Sequence, residues 1–460
     1  MADDLTQQNT LRKEVLGIGD AIAQSIAVLA LVMAIALSTS FAAQFAGAAA
    51  PLAYVVIRFT RRMASAGGIY TYISQGLGPG AGFIGGWMYS GAFAIGIAFT
   101  LAISSIYASN VLANFHVTVD WFVIFSALLV ALFLFAFFDI RVSTRTQLVL
   151  TAVGVLAVLI LAVLILAKGG DSGLSLTPFS PAALSGGLSG LFLAAIFSFT
   201  SFIGFEAAAV FGEETARPRS AIPQAILISI LVAAVFYILV TYAFSIGYGV
   251  AHANKWAMDQ SVLDTLANRY GNSTLATIID IMVAIDAFVA SLAGLNLVAR
   301  TLYAMGRDRG LPSVFGWTHP RYKSPWVGIV TGLLLTLILG ATLGRSLGPF
   351  LLFGFLATTG SLGILFAYIL VAISGMAFFL RSRQGDTGML TVVADVLLPV
   401  IAVLLCGATI YSTIVPAPPP PLNYAPYIAA VWLLLGLILL AILWFTSREQ
   451  VRRFGQILAE

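Results

Sequence analysis

Charge is scarce in this chain. Asp, Glu, Lys and Arg make up 9% of its 460 residues, against about a quarter in soluble globular domains. Hydrophobic residues make up 60%, and mean hydropathy is +1.00. A water-soluble fold of this size could not cover so much apolar surface, which excludes a soluble enzyme. A single cysteine, Cys406, excludes an internal disulfide and a Cys-rich metal site. His116, His252 and His319 fall in separate polar stretches, so a histidine metal cluster is not expected. The ~10-residue alternating segments of a membrane β-barrel are missing too. Neither a catalytic constellation nor a cofactor-binding pattern stands out. The net charge of +4 reads as loop charge on a membrane protein and not as a nucleic-acid surface.

What is present is a series of long apolar blocks. A span needs about 20 apolar residues, so twelve would use roughly 240. The blocks predict helices over 16–38, 41–59, 81–108, 119–138, 146–167, 187–212, 222–248, 272–303, 326–344, 349–379, 391–414 and 427–446. Met1 to Glu14 is polar and mixed in charge, unlike a cleavable leader. Under this topology 19 of the 23 Lys and Arg residues fall on the N-terminal side. The other four are Lys168, Lys255, Arg269 and Arg345. That asymmetry predicts twelve spans with both termini cytoplasmic. Residues 249–271 form the largest segment on the opposite side, with room for a short amphipathic helix.

Ionisable groups deep in a bilayer cost roughly 2.5–3.5 kcal/mol each and point to function. Asp20, Asp120, Asp139 and Asp395 sit near span ends, where headgroup water reaches them. Glu206, Asp280 and Asp286 lie deeper. Glu206 closes the run Ser198-Phe199-Thr200-Ser201-Phe202-Ile203-Gly204-Phe205-Glu206, where hydroxyls precede one glycine in an otherwise apolar span. Such a run suits either an unwound membrane helix or a small-residue packing face.

That run, with Glu213-Glu214-Thr215, Pro218 and Ile222-Pro223 after it, resembles the amino acid–polyamine–organocation permeases. So does the stretch from Ala299-Arg300-Thr301 through Arg307-Asp308-Arg309-Gly310, with His319-Pro320 beyond. Ser65-Ala66-Gly67-Gly68-Ile69-Tyr70 with Gly86-Trp87 is similar to the family's approach to the third span. The resemblance implies an all-α polytopic membrane protein with twelve transmembrane helices. These form a 5+5 inverted repeat with broken helices 1 and 6 plus two extra helices. Repeat one would cover about 16–167, repeat two about 187–379 and the added helices about 391–446, within one transporter domain over 1–446. Residues 447–460 would be a cytoplasmic tail.

In similar permeases the substrate lies between the two breaks, its carboxylate at backbone N–H groups of the first and its amine at carbonyls of the sixth. Here the first break falls near Leu29, Ala30, Leu31, Val32 and Met33. The sixth falls at Thr200, Ser201, Phe202 and Ile203, beside Gly204. Ala92 and Phe93 match positions that line the side-chain pocket, and Glu206 and Asp286 are the candidate coupling or gating carboxylates. The implied function is alternating-access transport of a neutral amino acid across the inner membrane, by proton-coupled symport or exchange. Protons or sodium are the possible coupling ions. A polyamine or amine carrier and a transport-inactive amino-acid sensor are the alternatives. Three features depart from the family: Leu31-Val32-Met33 replaces a glycine-rich first break, Gly154 or Val155 stands in the fifth span where some relatives carry a mid-membrane lysine, and the second span, 41–59, is short.

Overall fold

The computed structural model describes residues 19, 22, 25–26, 29–56, 69–138, 144–171, 173–205, 218–307, 311–319, 322, 324–382 and 396–446. Among these, regular structure is helical throughout. Helical residues at 19, 22, 25, 26 and 29 lead to α1 (Leu31–Ala46), which turns at Gly47 into α2 (Ala50–Val56). A short α3 (Ile69–Leu77) lies alongside the start of the long α4 (Pro79–Asn114). Then come α5 (Trp121–Phe137), α6 (Thr144–Ala167), α7 (Gly187–Phe202) and α8 (Pro218–Tyr248). Two small helices, α9 (Ala253–Met258) and α10 (Val262–Tyr270), precede α11 (Ser273–Arg307). A π-turn at Gly340–Gly344 joins α12 (Trp326–Leu339) to α13 (Arg345–Ser382), which is interrupted at Gly348 (φ 77°). α14 (Leu398–Ser412) and α15 (Ala425–Thr446) complete the described chain.

The helices sort by burial. Every residue of α1 except Gln44 and Phe45 is buried, and α7 is nearly as enclosed. α15 exposes apolar side chains along its length, as a helix facing lipid does. α1 and α7 approach closely because Gly186 and Gly190 leave room for the Phe45 carbonyl: a Cβ on Gly190 would lie 2.4 Å from that oxygen. This is small-residue packing, which brings membrane helices within backbone contact. Around these two pack α4, α8, α11 and α13.

The boundary between the first two spans is corrected. Phe41 does not open a second span, because one helix runs unbroken from Leu31 to Ala46 and the chain reverses at Gly47 (φ 62°). No charged residue marks this turn, which is why an apolar-block reading places the division too early. Asp120 is a helix cap, its carboxylate accepting from the Phe122 N–H at 2.9 Å. Asp20, Asp139 and Asp395 lie outside the described residues. The segment 249–271 holds two short helices, of which α10 buries Val262, Leu263, Leu266, Ala267 and Tyr270 on one face.

Candidate functional site

Two breaks in the chain build the site. At the first, Ala30 adopts a left-handed backbone (φ 46°, ψ 61°) and α1 begins at Leu31. For a residue other than glycine this conformation costs roughly 1–2 kcal/mol, so the residue type does not explain it. The compensation comes from a distant helix. Asp286 on α11 accepts hydrogen bonds from the backbone N–H groups of Val32 (3.1 Å) and Met33 (3.0 Å). A buried carboxylate thus caps the positive end of a half-helix, where an anion is most favoured. The Ala34 N–H bonds back to the Ala30 carbonyl at 2.8 Å. Thr151 on α6 also reaches Asp286, and Gly154, one turn along, lets α6 press against Val32.

At the second break α7 stops at Phe202, and Gly204 takes φ 102°. Carbonyls freed by this break need donors. Tyr237 on α8 donates to the Ser201 carbonyl at 2.7 Å, and Ser25 donates to the Phe205 carbonyl at 3.0 Å. The Thr200 hydroxyl lies 2.6 Å from that of Ser361 on α13. Ser201 donates back to the Phe197 carbonyl (3.0 Å) and reaches the Ala34 carbonyl at 3.4 Å. The two breaks are therefore fastened to each other by side chains from the opposite element.

Between them lies a cavity with about 670 Å³ of atom-free space, partly open to solvent. Leu29, Met33 and Ala34 line it from the first break, Thr200 and Ile203 from the second. α4 contributes Ala92, Phe93, Gly96, Ile97, Phe99 and Thr100; α11 gives Ala290 and Gly294; α13 gives Phe353, Gly360 and Ile364. Among the described residues the lining is almost wholly apolar, with Ser38, Thr100 and Thr200 as its hydroxyls and no carboxylate. Toward the Gly47 end, rings close the space. Phe41 stacks on Phe197 (4.8 Å) and Phe350 (4.7 Å), and Phe353 meets Phe99 edge-on at 5.5 Å.

Of the residues singled out from the sequence, Leu29, Met33, Ala92, Phe93, Thr200 and Ile203 meet at this cavity. Ala30 and Leu31 make the first turn, and Val32 faces a separate narrow cleft with Thr151 and Asp286. Ser201 and Phe202 turn toward Tyr54 and Tyr237, and Gly204 supplies the second turn. Glu206 lies outside the described residues. Sequence reasoning missed the α11 and α13 contributions. Gly294 and Gly360 were a signal, but one shared with many other glycines in apolar spans.

Comparison with known proteins bears on the family and the fold. A sequence profile described as "Amino acid permease" matches residues 13–441. The branched-chain amino acid permease BcaP of Lactococcus lactis subsp. cremoris (strain MG1363) is 28% identical over 403 residues, covering 80% of this chain and 81% of its own. BcaP of Bacillus subtilis (strain 168) is 26% identical over 454 residues, covering 92% and 90%. Among solved structures, MhsT in complex with L-phenylalanine superimposes with a TM-score of 0.58 at 13% identity, covering 88% of this chain and 100% of that one. At that identity the likeness shows a common fold.

Proposed function

The chain belongs to the amino acid permease family, and from that premise we propose that it imports a neutral, apolar amino acid across the cytoplasmic membrane by proton-coupled alternating access. It is a membrane transporter and not an enzyme. The observation that carries the substrate class is the cavity between the two breaks. Its lining among the described residues is apolar and suits an aliphatic side chain. Both BcaP relatives are named for branched-chain amino acids, which matches that lining.

The coupling follows from electrostatics at α1. A substrate carboxylate would be drawn to the N-terminal amides of this half-helix. Asp286 already holds two of them. Two anions at one helix end repel, so a proton on Asp286 favours arrival of the substrate carboxylate, and the substrate favours the proton. The linkage is reciprocal, as any coupling between two binding events must be. Once Asp286 is neutral its hold on Val32 and Met33 weakens, which frees the first break to move. At the second break the substrate ammonium would take the carbonyl ends of α7. Glu206, just past that break in sequence, is the second coupling candidate.

The test is uptake of labelled leucine, isoleucine and valine into proteoliposomes, with an inward proton gradient, a sodium gradient, neither, or preloaded substrate. Accumulation driven by the proton gradient is expected. Asp286→Asn should abolish that accumulation while keeping exchange against preloaded substrate. Accumulation driven by sodium alone, or gradient-driven uptake in Asp286→Asn equal to the parent protein, would overturn the proton role of Asp286. Binding without flux would identify a sensor.

A further inference from the structure

At the Gly47 end of the bundle, α9 and α10 fold over the finish of α1. Trp256 of α9 is fully buried and stacks on Tyr248 (6.1 Å), and Ser40 of α1 donates to the Asp259 carbonyl at 2.9 Å. Beneath α10 lies Asp280, two turns into α11. It has no exposed surface, and neither of its carboxylate oxygens has a hydrogen-bond donor among the described residues. A buried carboxylate without a donor is not stable as an anion. The group that does approach it is another acid. The Asp264 carboxyl of α10 comes within hydrogen-bonding reach of Asp280.

The neighbouring donors are committed elsewhere. The Tyr107 hydroxyl of α4 points to the Ala36 carbonyl (3.4 Å), and that of Tyr248 on α8 to Asp259 (2.6 Å). Asn268 donates to Asp264 at 3.0 Å. Asn110 of α4 is bound to Ser261. The cations are directed away: Arg269 pairs with Asp171, and Lys168 of α6 donates to the Tyr270 carbonyl. The charged groups that act on Asp264 and Asp280 are each other and Asp259. Two carboxyl groups in contact, with no cation between them, need a hydrogen to bind each other.

We propose that Asp264 and Asp280 share one proton, and that this carboxyl–carboxylate pair is a latch holding α10 down on the Gly47 end of the bundle. Burial, with the charge of Asp259 added to it, holds the Asp264 carboxyl above the usual range against the lowering effect of its bonds to Asn268 and Asp280, and its partly exposed face gives the proton a route to water. The sign follows. The pair is joined while the proton is bound; as pH rises the proton leaves, two anions face each other across buried contact, and α10 lifts. By the positive-inside count this end faces outward, so the latch would read external pH. The site is separate from Asp286, which lies about 9 Å further along α11, and it does not depend on which substrate is carried.

The experiment reads the latch without reading transport. Infrared difference spectra of the purified protein, titrated between about pH 5 and about pH 9, should show a protonated-carboxyl band that Asp280→Asn and Asp264→Asn each remove. In parallel, amide exchange over residues 262–270, corrected for the intrinsic pH effect, should rise at least about tenfold across that range. In Asp280→Asn the amide keeps the bond without a proton, so protection should stay high at every pH. Should that variant fail to fold, Asp264→Asn at the half-exposed position tests the same bond. A parent protein lacking the band, or showing pH-independent protection of 262–270, would overturn the proposal. So would an Asn variant with the parent's pH profile. Loss of proton-driven uptake with the band intact would count against the coupling role of Asp286 alone.

Discussion

At the residue scale, the first break shows how tertiary contacts override residue type. Ala30 is left-handed although glycine would suit that backbone better. Ala30→Gly should therefore stabilise the protein by about 1 kcal/mol, read as a rise in thermal unfolding temperature; an unchanged or lower temperature would mean that the break is not strained. The cavity offers a second single-residue test. A Cβ at Gly294 would meet Ile97 at 3.7 Å and Phe93 at 3.9 Å, ordinary contact distances. Gly294→Ala should fold normally but take up space, lowering leucine uptake relative to alanine by about tenfold, since one methylene in a pocket is worth 1–3 kcal/mol. Equal losses for both substrates would place Gly294 outside the side-chain pocket. Of the cavity's residues, Met33, Phe93 and Thr200 were implied by the resemblance to the permease family. The Asp286–Val32 bond was not, because 254 positions separate its partners.

At the scale of elements, the contact between α1 and α7 is a backbone-to-backbone approach with little room to give. Both half-helices come together where the Phe45 carbonyl sits over Gly186 and Gly190. Gly190→Ala cannot be accommodated by a side-chain rotation, since the opposing atom is backbone; overpacking of this kind costs about 1–3 kcal/mol. A clear fall in unfolding temperature is expected. Gly375→Ala, where no atom lies within 4 Å of the added methyl, should leave it unchanged and serves as the control. If the two variants behaved alike, close packing at Gly190 would not be what holds α1 against α7. The loop helices show a different logic. Asp171, flanked by Arg269 and His252, has its carboxyl held below the usual range, chiefly by the Arg269 guanidinium. That clasp is present above the ordinary carboxylate range and is lost in acid, the reverse of the sense expected for the Asp264–Asp280 pair.

On the scale of the whole molecule, the structure has rings closing the Gly47 end and a cavity partly open to solvent. Phe41 packs against Phe197, Phe350 and Phe353 from two other helices, so it joins the elements that must separate if that end opens. Phe41→Ala should loosen this seal, raising exchange with external substrate while lowering gradient-driven accumulation. Uptake and exchange both equal to the parent protein would show that the seal lies elsewhere. Orientation is tested separately: the 19-to-4 charge asymmetry predicts that an epitope at residue 460 is reached in intact cells only after permeabilisation.

The sequence alone determined the class of this protein. Nine per cent charge and long apolar blocks leave a chain no stable place but a bilayer, because burying that surface requires lipid. The hydroxyl-and-glycine run ending at Gly204 left a break or a packing face open, and the family resemblance pointed to the break that ends α7 at Phe202. What tertiary structure decided is everything that joins distant positions. It moved the first turn from Phe41 to Gly47, where conformation and not polarity ends the helix. It brought Asp286 to the amides of α1 and Asp280 to Asp264. A one-dimensional pattern records which groups are costly in a membrane; only packing shows which partner makes each of them tolerable.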